Sequence, residues 1–293
     1  MNPPRPRRVL GALVLAAVSL GSLAGCRTPT PAANGRTSVV AAFYPLQYAA
    51  QQVGGDSVSV TSLTPAGVEP HDLELTASQV ADIAQADLVI YVKGFQAAVD
   101  EAIAQQAPDR AVDVSAGLHL LGSDPHVWLD PTNMSAIGTT IAERLAQIAP
   151  DSATTVAKNA TALSSAMDSL DASYRSGLAT CRSRDLVVSH EAFAYLAHAY
   201  DLTHSGLSGL SPDAEPSPAR LKDVADLVVS KGISTIYYET LVDPKIAQTV
   251  ADETGAKVAK LDPLEGLAPG SSGDYVSVMK DNLATLKTGQ GCS

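Results

Sequence analysis

The sequence predicts an α/β protein: two lobes with parallel sheets, joined by one long helix. Three observations predict it. Short apolar runs alternate with helix-period segments over residues 38–150, and the same alternation restarts after residue 181. Between them lies "DSATTVAKNATALSSAMDSLDASYRSGLAT", which has no internal proline and carries apolar residues at helical spacing (Val156, Ala160, Leu163, Met167, Leu170, Tyr174). At 293 residues and 45% hydrophobic, the chain is long enough for two cores.

The expected elements follow in order. "SVVAAFYPL" reads as a buried strand from Ser38, and "SVSVTSLT" as an alternating second strand. Thr76 with Gln79 three residues on forms a capping-box pattern that starts a helix. "DLVIYV" is a strand, "GFQAAVDEAIAQQA" a helix and "RAVDVS" a strand. Asp130-Pro131 places an N-cap before a first-turn proline, and that helix runs to Pro150. After the long helix come the strand "DLVVSH", the helix "EAFAYLAHAY" and the loop "GLSGLSPDAEPSP". Ser217-Pro218 opens a further helix. "ISTIYYE" is a strand, "DPKIAQTVADETG" a helix ending at Gly255, and "KVAKLDP" a last strand. The expected division is a leader over 1–25, a lipidated cysteine and tether over 26–37, an N-terminal lobe over 38–150, a linking helix over 151–180 and a C-terminal lobe over 181–293.

The leader reading rests on "MNPPRPRR" followed by the apolar, small-residue run "VLGALVLAAVSLGSLAG", the pattern of a secretory signal. Its end, "LAGC", resembles the lipobox of bacterial lipoproteins, which implies cleavage before Cys26 and acylation of its thiol. "RTPTPAANGRT" then reads as a flexible tether. The formal net charge is −11. Without the leader's Arg5, Arg7 and Arg8, 17 basic side chains face 31 acidic ones. An acidic chain without basic clusters argues against nucleic acid. Two cysteines remain, Cys181 and Cys292. In an oxidising compartment such a pair is expected to bridge, the alternative being two free thiols.

Three of the six histidines sit where loops leave strands or open helices: His71 in "GVEPHDLELT", His126 in "SDPHVWLDP" and His190 in "DLVVSH". In α/β folds ligands bind outside the carboxyl ends of strands. His119, His198 and His204 have no such placement and read as ordinary loop or helix residues. Asp262 ends the last strand, and aspartate before proline is by itself an ordinary turn residue. Three imidazoles and one carboxylate are together a donor set suited to zinc.

"GVEPHDLELTASQVADIAQADLVIYVKGFQ", "DPHVWLDP", "VVSHEAFAYLAHAYDL", "GLSPDAEPSPARL" and "KLDPLEGL" resemble, in this order, the metal-binding solute-binding lipoproteins of ABC importers, with the high-affinity zinc-uptake proteins nearest. The resemblance implies two α/β lobes with a metal in the cleft between them, and His71, His126, His190 and Asp262 as its ligands. It implies a non-enzymatic, monomeric receptor anchored through Cys26 outside the cytoplasmic membrane, passing Zn2+ to a permease driven by a cytoplasmic ATPase. Manganese relatives typically carry glutamate at the position of His190, so imidazole there favours zinc over Mn2+, with a manganese or mixed zinc and manganese uptake receptor as the alternative. The loop before "DPHVWLDP" is short here, with His119 alone in place of a His-rich segment. Glu69, Asp72, Glu191 and Glu239 are candidates to orient the imidazoles, and Trp128 to pack under the His126 loop. Two other classes compete: a secreted zinc hydrolase, which the absence of HExxH disfavours, and a surface adhesin, which needs no metal site.

Overall fold

The computed structural model describes Met1 and residues 35–293. The expected leader, Cys26 and most of the tether lie outside the described residues. Strand β1 (Thr37–Ala41) is followed by helix α1 (Tyr44–Gly54), then β2 (Val58–Ser62), α2 (Ala77–Gln85), β3 (Leu88–Tyr91), α3 (Ala97–Gln106) and β4 (Ala111–Asp113). These strands form one parallel sheet in the order β2-β1-β3-β4. After α4 (Pro131–Ile148) and the 25-residue α5 (Ala153–Gly177) come β5 (Asp185–Val188), α6 (Ala194–Ala199), β6 (Thr203–Gly206), α7 (Pro218–Lys231), β7 (Thr235–Tyr238), α8 (Lys245–Thr254), β8 (Lys257–Lys260) and α9 (Tyr275–Gly289). The second sheet is also parallel, in the order β6-β5-β7-β8, the same permutation as the first.

Three elements differ from the sequence reading. The apolar run from Ser38 stops being strand at Ala41, and Pro45 falls in the first turn of α1, where its missing N–H costs nothing. β6 is built from the polar "THSG", which pairs with β5 at the sheet edge. α9 had no sequence expectation. It starts at a capping box between Asp274 and Ser277.

The expected caps are present. Thr76 Oγ1 accepts from Gln79 N, and the Gln79 side chain returns to Thr76 N at 2.8 Å. Asp130 Oδ1 accepts from Thr132 N at 2.7 Å, and Ser217 Oγ from Arg220 N at 3.2 Å. Each satisfies a first-turn N–H that has no partner within its helix.

One large apolar core runs from the first sheet through α1, α4 and α5 to the inner side of the second sheet and α9. α5 buries Val156, Leu163, Met167, Leu170 and Tyr174 along one stripe, the spacing that marked it in sequence. Its outer face carries Thr161, Ser165, Ser169 and Ser173, each hydroxyl donating to the carbonyl four residues back. A smaller core, with Val187, Val224, Val228, Ile236 and Val250, fills the other side of the second sheet under α7 and α8.

Cys181 and Cys292 are disulfide-bonded. The bridge ties Cys292, three residues past the end of α9, to the segment following α5. It is flanked by backbone bonds from Ser183 N to Gln290 O and from Ser293 N to Thr180 O.

Candidate metal centre

The parallel strands of each sheet deliver their following loops to one end. His71 lies in the loop after β2, His126 after β4, and His190 two residues beyond β5. The side chains of His126 and His190 are 0% exposed, and that of His71 is 8% exposed.

The His71 loop is held by Gln96, a buried side chain at the N-cap of α3. Its Nε2 donates to Pro70 O at 3.0 Å and to Thr64 Oγ1 at 3.1 Å. Glu69 accepts from the His71 backbone N–H. The His71 ring stands edge-on to Phe95, with centroids 4.6 Å apart. His126 opens a short 3-10 turn, Val127–Leu129, between Pro125 and the Asp130 cap.

Trp128, fully buried, donates from Nε1 to Pro263 O at 2.8 Å, and the Tyr275 hydroxyl donates to Trp128 O at 2.6 Å. The Tyr195 hydroxyl donates to Asp124 O at 3.0 Å. The segment carrying His126 is therefore fastened to the second lobe by three hydrogen bonds, although it leaves the first sheet.

The structure brings His71, His126 and His190 together, but the carboxylate that joins them is Glu265, not Asp262. Glu265 Oε1 lies 3.3 Å from His71 Nε2, 3.0 Å from His126 Nε2 and 3.1 Å from His190 Nε2. His126 Nε2 is 3.3 Å from His71 Nε2 and 3.4 Å from His190 Nε2. A tetrahedral zinc with bonds of about 2.0–2.1 Å separates its donor atoms by about 3.3–3.4 Å. Five of the six separations among the four atoms thus lie within about 0.4 Å of the edge of such a tetrahedron, and all four atoms lie within 4.8 Å of one another.

Asp262 is engaged elsewhere. Its Oδ2 accepts from the Thr240 hydroxyl at 2.5 Å and its Oδ1 from the Leu264 N–H at 2.8 Å. The reading of Asp262 as a turn residue, taken from its own neighbourhood, matches this geometry, and the ligand role drawn from the family resemblance does not.

Two carboxylates orient the rings. Asp124 Oδ1 is 2.7 Å from His126 Nδ1 and also accepts the His126 backbone N–H at 2.9 Å. Glu239 Oε1 is 2.7 Å from His190 Nδ1, accepts the His190 N–H at 3.1 Å, and takes the Ser189 hydroxyl. At His126 the carboxylate hydrogen-bonded to Nδ1 fixes the proton there and leaves the Nε2 lone pair facing the centre. At His190, by contrast, Glu239 stands close to Nδ1 as a charge contact and bonds the backbone N–H.

Of the residues expected to orient the imidazoles, only Glu239 contacts a ring. Glu69 binds backbone, Glu191 pairs with Arg220 at 3.2 Å, and Asp72 is exposed. Asp124 was missed, though it sits inside "SDPHVWLDP" two residues before the histidine. The i, i+2 spacing that lets one carboxylate take both the ring and the amide of His126 is the signal that marks it. His119 and His198 are exposed, and His204 lies in β6.

The charges are interlocked. Burial pushes the Glu265 carboxyl up, but His126, His190 and His71 around it reverse this and hold it well below the usual range. Burial pushes His190 down, while Glu239 and Glu265 raise it, for a net value of about 10. His126 is likewise lowered by burial and raised more by Asp124 and Glu265. A divalent cation at the centre would take the place of the protons that join Glu265 to the imidazoles.

The fold has two parallel α/β lobes and a buried cluster of three imidazoles and a carboxylate that could hold a metal ion. The family model described as "ZnuA: Zinc-uptake complex component A periplasmic" matches residues 39–289. The chain belongs to this zinc-uptake family. It is 35% identical over 300 residues to the zinc-binding lipoprotein AdcA of Streptococcus pneumoniae, an alignment covering 94% of this chain and 60% of AdcA. The chain therefore spans about 60% of the length of that relative. It is 33% identical to the high-affinity zinc uptake system protein ZnuA of Bacillus subtilis, covering 85% of this chain and 86% of that protein. Among solved structures, the Zn(II)-bound ZnuA-like domain of S. pneumoniae AdcA is similar with a TM-score of 0.78 at 35% identity, covering 87% of this chain and 99% of that one.

Proposed function

We propose that this chain is the extracytoplasmic receptor of a zinc importer, holding Zn2+ through His71, His126, His190 and Glu265 and passing it to a membrane permease with a cytoplasmic ATPase. The observation that carries the reading is the convergence of one carboxylate oxygen and three imidazoles on a single buried point, with their ligand atoms all within 4.8 Å of one another. Four protein donors leave no corner for an activated water, which separates a carrier from a zinc hydrolase. Three imidazoles favour zinc over manganese. Its relatives in S. pneumoniae and B. subtilis are named for zinc binding and zinc uptake, which agrees with this reading. Cys26 carries the lipid that keeps the receptor at the outer face of the cytoplasmic membrane, and the lobes work as a monomer.

The test is a titration of the form beginning at Arg27, with Zn2+ and Mn2+ in competition. One zinc per chain is expected, retained against excess manganese and lost in His126→Ala. A His126→Ala variant that binds zinc like the parent would sink the proposal.

A further inference from the structure

Asp262 does not reach the metal cluster, yet it holds the turn that presents Glu265. Three consecutive residues are pinned. The backbone of Asp262 is clamped on both sides by Asn282: its N–H donates to Asn282 Oδ1 at 2.9 Å, and its carbonyl accepts from Asn282 Nδ2 at 2.7 Å. Pro263 O accepts from Trp128 Nε1 at 2.8 Å. Leu264, with φ 59° and its side chain fully buried, gives its N–H to Asp262 Oδ1 at 2.8 Å.

A left-handed leucine is sterically disfavoured and persists only where its surroundings over-determine it. Here the aspartate side chain, bonding the backbone two residues on, supplies the constraint. The Thr240 hydroxyl fixes that carboxylate from the other side. The next residue is Glu265, turned back to within 3.0–3.3 Å of all three imidazoles.

We infer that Asp262 is a positioning residue for the metal site, acting through the Leu264 turn to set where the Glu265 carboxylate sits. The inference rests on the ligand set proposed above. It assigns the aspartate of "KLDPLEGL" a role distinct from ligation. Asparagine serves as well as aspartate: its Oδ1 still accepts from Leu264 N–H, and its Nδ2 donates to Thr240 Oγ1 in place of the accepted bond. Alanine does neither.

The purified full chain is titrated with Zn2+ against a chelator, and Co2+ is used as a spectroscopic stand-in. Glu265→Gln and Asp262→Ala are each expected to weaken zinc by about 10- to 100-fold and to change the visible spectrum of bound cobalt in the same way. Asp262→Asn is expected to keep the parent affinity and spectrum. Adding Asp262→Ala to Glu265→Gln is expected to cost nothing more. Should Asp262→Ala fail to fold by circular dichroism, Thr240→Val carries the test, with several-fold weaker zinc expected.

Parent affinity in Asp262→Ala, or in Thr240→Val where that variant carries the test, overturns the inference. A spectral change and loss of zinc in Asp262→Asn does so too, because Asp262 is then itself a ligand. Failure of the parent to bind either ion strikes instead at the ligand set on which the inference rests.

Discussion

His204 projects from β6 with its Nε2 buried and, among the described residues, without a hydrogen-bond partner. Burial is the main reason its pKa falls to about 4. Asp124 opposes that fall, while His126, His190 and Arg220 add to it. Between pH 6.5 and about 4 the unfolded chain binds a proton here that the folded chain refuses. Stability therefore falls as pH drops through this window, and the loss is complete below about 4. The cost is on the order of 3 kcal/mol at its limit. Metal-free His204→Gln is expected to show a flatter dependence of its urea midpoint on pH across this range, and parallel curves for parent and variant would refute it. At the same scale, the carboxylate that joins the three imidazoles lies three residues past the one the sequence pointed to. The motif carrying it was visible, but Asp262 and Glu265 are two carboxylates three residues apart. The left-handed Leu264 lies between them, and no residue type at that position announces such a backbone.

Three helix starts were legible because a familiar capping side chain closes the first turn, and that chemistry is local. Thr76, Asp130 and Ser217 all cap as their spacing indicates. Ser217→Ala is expected to cost about 1 kcal/mol in denaturant unfolding without altering zinc affinity, because α7 lies under the second sheet away from the cluster. An unchanged midpoint would show that the Ser217 cap contributes nothing. The elements that were not legible share a different property. α1 begins inside an apolar run that periodicity cannot divide into strand and helix. β6 is four polar or small residues, and only its pairing with β5 makes it a strand. α9 uses Ser277 where the usual capping box has Glu or Gln, so its start carries no familiar signature.

Over the whole molecule, the two halves repeat one sheet permutation and meet around a site to which each gives two donors: His71 and His126 from loops of the first sheet, His190 and Glu265 from loops of the second. The disulfide closes a loop of 111 residues containing the entire second sheet. Reducing it releases that constraint on the unfolded chain and is expected to destabilise the protein by about 2–5 kcal/mol. Thermal unfolding of the Cys292→Ser variant checks this, and an unshifted transition would show that the bridge does not contribute. Zinc affinity is expected to change far less, because the segments that hold Glu265 and His126 are fixed by Asn282, Trp128 and Tyr275 rather than by the bridge.

The near-complete burial of the four donors also has a consequence for hydration. An ion entering this cluster gives up its inner shell of water, since His126 and His190 are fully enclosed and Glu265 is 2% exposed. Magnesium, which dehydrates reluctantly and wants six oxygens in an octahedron, loses more by that exchange than three nitrogens and one oxygen return. Calcium wants six to eight oxygens and fares no better. Zinc accepts four donors and binds nitrogen well. With the ligand set proposed above, the enclosure would discriminate by what an ion must leave behind as much as by what it gains.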